Sequence, residues 1–158
     1  MHIKKSLYLT TIGLFICFMV ASQGRFAPSV LSVNLLSKPE AVFLNGYRVS
    51  TPLSEAITQK ENFQFTEIST HAPLLGWVIS SDTKQKKQTA YRIWVASDKK
   101  ILLNDSADLW DTEKVYSSHS SDVLYNGKPL EPGKVYFWKV KIWDNDHQES
   151  AFSDISSF

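Results

Sequence analysis

Cysteine is almost missing from this chain: Cys17 is the only one in 158 residues. It lies inside the apolar N-terminal stretch, with bulky Leu14-Phe15-Ile16 before it, where a lipid-attachment box requires small residues. Once that stretch is removed no thiol remains, so the fold has to stand without disulfides even in an oxidising compartment. Glycine is scarce too, at six residues. There is no glycine-rich loop to cradle phosphate and no Gly-x-Ser-x-Gly turn to expose a nucleophile. Nor does one sign of charge dominate. The chain carries 17 basic and 16 acidic residues, and the first 22 residues hold two of the lysines and no acid, leaving 17 − 2 = 15 against 16, or −1. A balance this even provides no electrostatic footprint for nucleic acid or an anionic membrane. Lys84, Lys86 and Lys87 form a small basic cluster that reads as a solvated loop.

Long hydrophobic runs are limited to the N-terminus. His2, Lys4 and Lys5 precede an apolar segment from Leu7 to Ala21, interrupted only by Thr10, Thr11 and Gly13. Val20-Ala21-Ser22 then places small residues where a signal peptidase would cut, before Gln23. The alternative is a membrane anchor over residues 7–21, but about 15 apolar residues fall short of the roughly 20 that span a bilayer. The expected organisation is a signal peptide at 1–22, a weakly ordered leader at 23–60 and a β-sandwich module at 61–158. That implies a secreted or periplasmic protein with no stable membrane anchor. Within the leader, Asn45-Gly46 between Val42-Phe43-Leu44 and Tyr47-Arg48-Val49 carries the signature of a tight hairpin turn.

What the chain does have is aromatic, β-branched alternation. The stretch Leu130–Asp144 (LEPGKVYFWKVKIWD) starts with a Pro-Gly turn. It then places Tyr136, Trp138, Val140 and Ile142 on one side and Phe137, Lys139, Lys141 and Trp143 on the other. A tyrosine just inside a strand after a turn can fold its hydroxyl back onto the turn backbone, so Tyr136 is read as a tyrosine corner. Leu74–Ser80 alternates through Leu75, Trp77 and Ile79, and Thr89–Ser97 through Tyr91, Ile93 and Val95, with Arg92 and Trp94 opposite. Asn62–Ile68 reads as a first strand and Asp82–Lys87 as a polar hairpin loop. Lys99–Asp108 is open between a helical turn and a crossover. Leu109–Tyr116 and Asp122–Tyr125 read as edge strands, and Ala151–Phe158 as a last one. Several short strands with little helix predict an all-β antiparallel sandwich.

Trp77 and Trp138 fall at inward positions and are read as core. Trp94, Trp110 and Trp143 fall on the opposite parity or near edges. They are read as packing against a loop, a second sheet or a neighbouring domain, with stacking on a sugar ring as the alternative.

No chemical site emerges. His71, His119 and His147 are scattered through loops, and no serine is marked as a nucleophile. Asp144-Asn145-Asp146-His147-Gln148-Glu149 is rich in oxygen ligands but lacks the glycine and distal glutamate of a calcium loop, and reads as a hairpin turn. Nothing makes Glu67, Asp108, Asp111, Glu113 or Asp144 converge as a glycosidase pair. No catalytic, metal or cofactor residues are assigned.

Three ordered motifs carry a resemblance: Gln85–Ile93 (QKKQTAYRI), Asp108–Val115 (DLWDTEKV) and Tyr136–Asp144 (YFWKVKIWD), with Pro73-Leu74-Leu75-Gly76-Trp77 ahead of them. The chain resembles the immunoglobulin-like, fibronectin-type-III-like domain that opens many secreted bacterial α-L-rhamnosidases, where the runs read like QTAYxIxVAS, LWDSGKV and YxWRVxVWD. Glu113 departs from that pattern at a position where the family often has glycine. The resemblance implies a non-catalytic accessory module of an enzyme that hydrolyses terminal α-L-rhamnose, whose catalytic (α/α) barrel lies far downstream and outside this chain. It implies the downstream rhamnosidase domains as partners. A rhamnose-containing polysaccharide is a further candidate partner, and an autonomous carbohydrate-binding or adhesion module is the alternative function.

Overall fold

A computed structural model describes residues 26–59, 61–82 and 84–158; the expected signal peptide lies outside them. In chain order the elements begin with β1 (Phe26–Val33), β2 (Leu36–Ser37), β3 (Val42–Leu44), β4 (Tyr47–Val49), α1 (Leu53–Ala56), β5 (Phe63–Phe65) and β6 (Leu74–Ser81). They continue with β7 (Gln88–Ala96), α2 (Lys99–Leu103), β8 (Trp110–Asp111), β9 (Val115–Tyr116), β10 (Val123–Leu124), β11 (Phe137–Asp144) and β12 (Ser156–Ser157). None of the helices among these residues is long and apolar enough to cross a membrane.

The strands pair antiparallel into three sheets: β10-β6-β1-β2, then β12-β11-β7-β8 with β9 also on β7, and a small β4-β3-β5 sheet. The first two face each other as an immunoglobulin-like sandwich. Val33, Leu75 and Trp77 of the first sheet close onto Tyr91, Ile93, Val95, Trp138, Val140 and Ile142 of the second, all buried. The period-two alternation of β6, β7 and β11 produces this core directly, because every second side chain meets the opposite sheet. Burying an aliphatic side chain of this size stabilises by about 1.5–3 kcal/mol. The small sheet has its own core of Val42, Leu53 and Ala56.

Four expectations change. Residues 26–33, assigned above to a weakly ordered leader, form β1 at the centre of the first sheet, with Val33 fully buried opposite Leu75. Their alternation is masked by a bulge between Ser29 and Ser32, where Val30 sits at φ 45. Asn62–Ile68 yields only β5, which joins the small sheet with the Asn45-Gly46 hairpin and stays outside the sandwich. The loop after β6 is a crossing from one sheet to the other, since β6 and β7 do not pair. The final stretch shrinks to the two-residue β12 followed by Phe158. The ambiguous segment resolves as α2, whose first turn is capped by Asp98 accepting from the Lys100 N–H at 2.7 Å.

The edge Leu109–Tyr116 is split into β8 and β9, and Glu113 marks the break. It sits at φ 51, with its N–H donating to Asp111 Oδ1 at 2.9 Å. A side chain in the left-handed region costs roughly 1–2 kcal/mol, which glycine avoids. That explains why glycine suits this position. Glu113→Gly is therefore expected to raise unfolding stability by about 1 kcal/mol relative to Glu113→Ala, read by urea denaturation of both variants; equal midpoints would show that the backbone here carries no strain. Comparison with alanine cancels the Glu113–Arg92 contact, which is exposed and weak.

Candidate functional site

The outward face of the β7–β11 pair is the part of the molecule whose residue types most invite a functional reading. Register sets Trp94 opposite Lys139, Arg92 opposite Lys141, and Ala90 opposite Trp143. Two cations thus stand side by side on adjacent strands, an unfavourable pairing unless each has its own counter-charge. Arg92 donates through Nε and Nη2 to both oxygens of Asp111 at 2.8 and 2.6 Å, a bidentate pair. Lys141 is paired with Glu149. Burial works against the Asp111 carboxylate, but the Arg92 hydrogen bond, the Glu113 N–H and the Arg92 charge together outweigh it and hold this group below the usual carboxylate range.

The aromatics of this face are covered. Trp94 is only 9% exposed and packs on Phe152 with ring centroids 4.6 Å apart. Lys139 is buried with its ammonium 4.8 Å from the Trp94 ring and 4.4 Å from the Phe152 ring. It donates to the Leu102 carbonyl at the end of α2 at 2.7 Å. Trp143, 8% exposed, lies beneath Lys114 at 4.4 Å. Cation and ring alternate here as a packed layer, each ammonium finding a π face in place of water. Trp94 and Trp143 are consequently not the exposed aromatics that sugar stacking requires: Phe152, α2 and the long basic side chains occupy their faces. Trp110 is half-buried, in edge contact with Tyr125 at 5.2 Å, and borders a polar cleft of about 500 Å³ with His119 and Asp122.

The structural residues sit as follows. Trp138 is fully buried at the centre of the sandwich. The Trp77 indole N–H donates to Gln88 Oε1 at 2.9 Å, and the Gln88 amide donates onward to the carbonyls of Ser117 and His119. The Tyr136 hydroxyl folds back onto the turn, accepting from the Glu131 N–H at 2.6 Å and donating to the Glu131 carbonyl at 3.2 Å.

Sequence reasoning missed one centre. Asp144 is 1% exposed, not part of a solvated turn. Its Oδ1 accepts from the N–H groups of Asp146 and Gln148, each at 2.8 Å, and its Oδ2 pairs with Lys86, which also reaches Asp146 at 2.8 Å. Lys87 N–H donates to Asn145 Oδ1 at 3.0 Å. The basic cluster is therefore a clamp that ties the inter-sheet crossing to the turn after β11. Only the shared presence of Lys86 and Asp144 hinted at it, and pairing across 58 positions has no local signature. Asp108 is likewise occupied, accepting from the Ser97 N–H at 2.9 Å and hydroxyl at 2.6 Å. Among the described residues no group of three or more His, Cys, Asp or Glu could hold a metal ion. Asp144, Asp111 and Asp108 are all engaged in holding loops to strands, which leaves them poorly placed to act on a substrate.

Burial opposes the Asp144 charge, yet the Lys86 hydrogen bond and the two N–H donors prevail and keep its carboxyl below the ordinary range. A carboxyl that ionises more readily folded than unfolded contributes stability above the unfolded value, near 3.9, and loses it as pH falls through the folded one. Unfolding titrations from pH 7 down to pH 2 should thus show the wild type's advantage over Asp144→Asn shrinking below about pH 4; an advantage that stays constant would remove Asp144 from this role. Covering of Trp94 is checked separately. Phe152→Ala should shift tryptophan emission to the red and increase acrylamide quenching, whereas unchanged spectra would mean that Phe152 does not shield the ring.

Comparison with known proteins agrees with this fold. Residues 57–158 match the family model of the Rha78A-like, N-terminal immunoglobulin domain. The chain is 43% identical over 91 residues to an alpha-L-rhamnosidase of Formosa agariphila, covering 58% of this chain and 10% of that protein. It is 41% identical over 81 residues to one of Streptomyces avermitilis, covering 51% and 8%. Among solved structures, the alpha-L-rhamnosidase from Dictyoglumus thermophilum superimposes with a TM-score of 0.64 at 32% identity, over 84% of this chain and 12% of that one. The Streptomyces avermitilis alpha-L-rhamnosidase complexed with L-rhamnose gives 0.61 at 28% identity, over 84% and 10%. The chain spans about a tenth of the length of the relatives it matches. With the whole β12-β11-β7-β8 sheet inside the matched region, this chain belongs to the family of Rha78A-like N-terminal immunoglobulin domains.

Proposed function

We propose that this chain serves as the non-catalytic N-terminal module of a rhamnosidase-like glycoside hydrolase, whose parent activity is hydrolysis of terminal α-L-rhamnose. The observation that carries this reading is that residues 57–158 match an N-terminal immunoglobulin domain model while the chain spans only 8–12% of the rhamnosidases it is similar to. The side-chain chemistry supports it. The aromatic and charged residues that a binding or catalytic face would use are engaged inside the module, Trp94 with Phe152 and Lys139, Trp143 with Lys114, and Asp111 with Arg92. The module's role is to pack against the downstream domains of such an enzyme, and contact with rhamnose-containing polysaccharide belongs to those domains. Residues 1–22 act as a signal peptide that delivers the protein to the periplasm or outside the cell, where the lack of a disulfide leaves its folding independent of redox state.

Two measurements test the role. The isolated chain should release no p-nitrophenol from an aryl α-L-rhamnoside, and turnover above background would overturn the reading. Grafted in place of the matching segment of the Formosa agariphila rhamnosidase, it should yield a soluble, active enzyme where deletion of that segment does not. A graft that performs no better than the deletion would equally overturn it.

A further inference from the structure

Where β12 runs out, its last backbone contacts point toward a cleft. Tyr136 and Phe158 exchange both main-chain bonds, N–H to C=O at 2.9 Å and at 3.0 Å in return. That exchange marks a hydrogen-bonded antiparallel pair, so a residue succeeding Phe158 on the same path lies opposite Val135, and the one after it can exchange bonds with Lys134. Side chains alternate along a strand. Phe158 turns into the main core beside Tyr136, whereas its successor turns to the side of Val135, which packs on the small core of Val42, Leu53 and Ala56. On that side is a cleft of about 570 Å³ lined by Leu53, Ile57, Phe65 and Val135, with Glu131 and Lys134 at its rim. Ile57 is 36% exposed there, an apolar side chain without a cover.

We propose that this cleft is the seat of the polypeptide that succeeds the module in the longer rhamnosidases: an extended segment that carries β12 onward against residues 133–135 and sets an apolar side chain beside Val135 and Ile57. The inference rests on the role proposed above. It names the surface through which the module grips the rest of the enzyme: main-chain pairing supplies affinity, and the apolar seat supplies specificity. The backbone bonds at Tyr136 already define the direction and spacing, so the added segment meets an edge prepared for it.

The test compares the full chain with the same chain extended by about ten residues, a strand's length, taken from immediately after the matched segment of the Formosa agariphila rhamnosidase. Amide hydrogen exchange is read by NMR, and thermal midpoints are recorded for both. The extension is expected to slow exchange of the Lys134 N–H on the order of tenfold or more and to raise the midpoint; a shuffled extension should do neither. Unchanged exchange at Lys134 would overturn the proposal. In the extended chain Ile57→Asp should abolish the protection at Lys134 and leave the β7–β11 amides as slow as before; protection that survives this change would overturn the apolar seat. If the grafted rhamnosidase is active while Lys134 remains unprotected, the accessory role stands and only the cleft assignment fails.

Discussion

The antiparallel pairing of β7 with β11, eight residue pairs from Gln88–Asp144 to Ala96–Phe137, is the contact on which the other layers depend. Both strands are buried on both faces. Their inward residues meet the first sheet, and their outward residues meet α2 and the segment carrying Phe152. A strand pair in that position needs apolar matter on each side, which is why β11 sets Trp138 inward and Trp143 outward while β7 adds Trp94 outward. Asp144 closes one end of the pairing through Lys86 and the turn amides, and the Tyr136 hydroxyl closes the other at Glu131. The rest of the sandwich is assembled around these two stops.

The outer layer shows how a domain can bury charge without a catalytic purpose. Lys139 enters the layer because its ammonium finds the Leu102 carbonyl, the rings of Trp94 and Phe152, and Asp105. Such a layer has few spare partners to offer a ligand. A domain whose polar residues are consumed internally is suited to holding geometry for other domains, and that accords with the small share of each relative that it represents.

Much of this was legible in the sequence, and the reasons for the remainder are physical. The alternation of β6, β7 and β11 was clear because each has a full-length inward face of Leu, Ile, Val, Tyr and Trp. The Asn45-Gly46 turn was readable because both residues adopt positive φ, as the two-residue hairpin requires. β1 was not readable: Pro28, several serines and the bulge at Val30 erase its period, and its partner β6 is about fifty residues away, where no local pattern reaches. The outward tryptophans were correctly placed on the opposite parity, but parity alone does not tell whether solvent or a covering loop lies beyond. The Lys86–Asp144 clamp was hidden for the same reason, since a charge in a loop looks solvated until the partner strand brings its counter-ion.

The distant pairing of β1 also bears on how the chain comes together in time. Its neighbours are β2, immediately after it, and β6, with Phe26 opposite Ser81. During synthesis the first strand must therefore wait, with its edge unsatisfied, until some fifty further residues have emerged, and the sheet is finished only when β10 arrives. Closing such long loops before any contact rewards them is slow, and it leaves a strand edge open to other chains meanwhile. Holding this segment unfolded, or shielded by a chaperone, until β6 is available is a demand that the topology places on the cell.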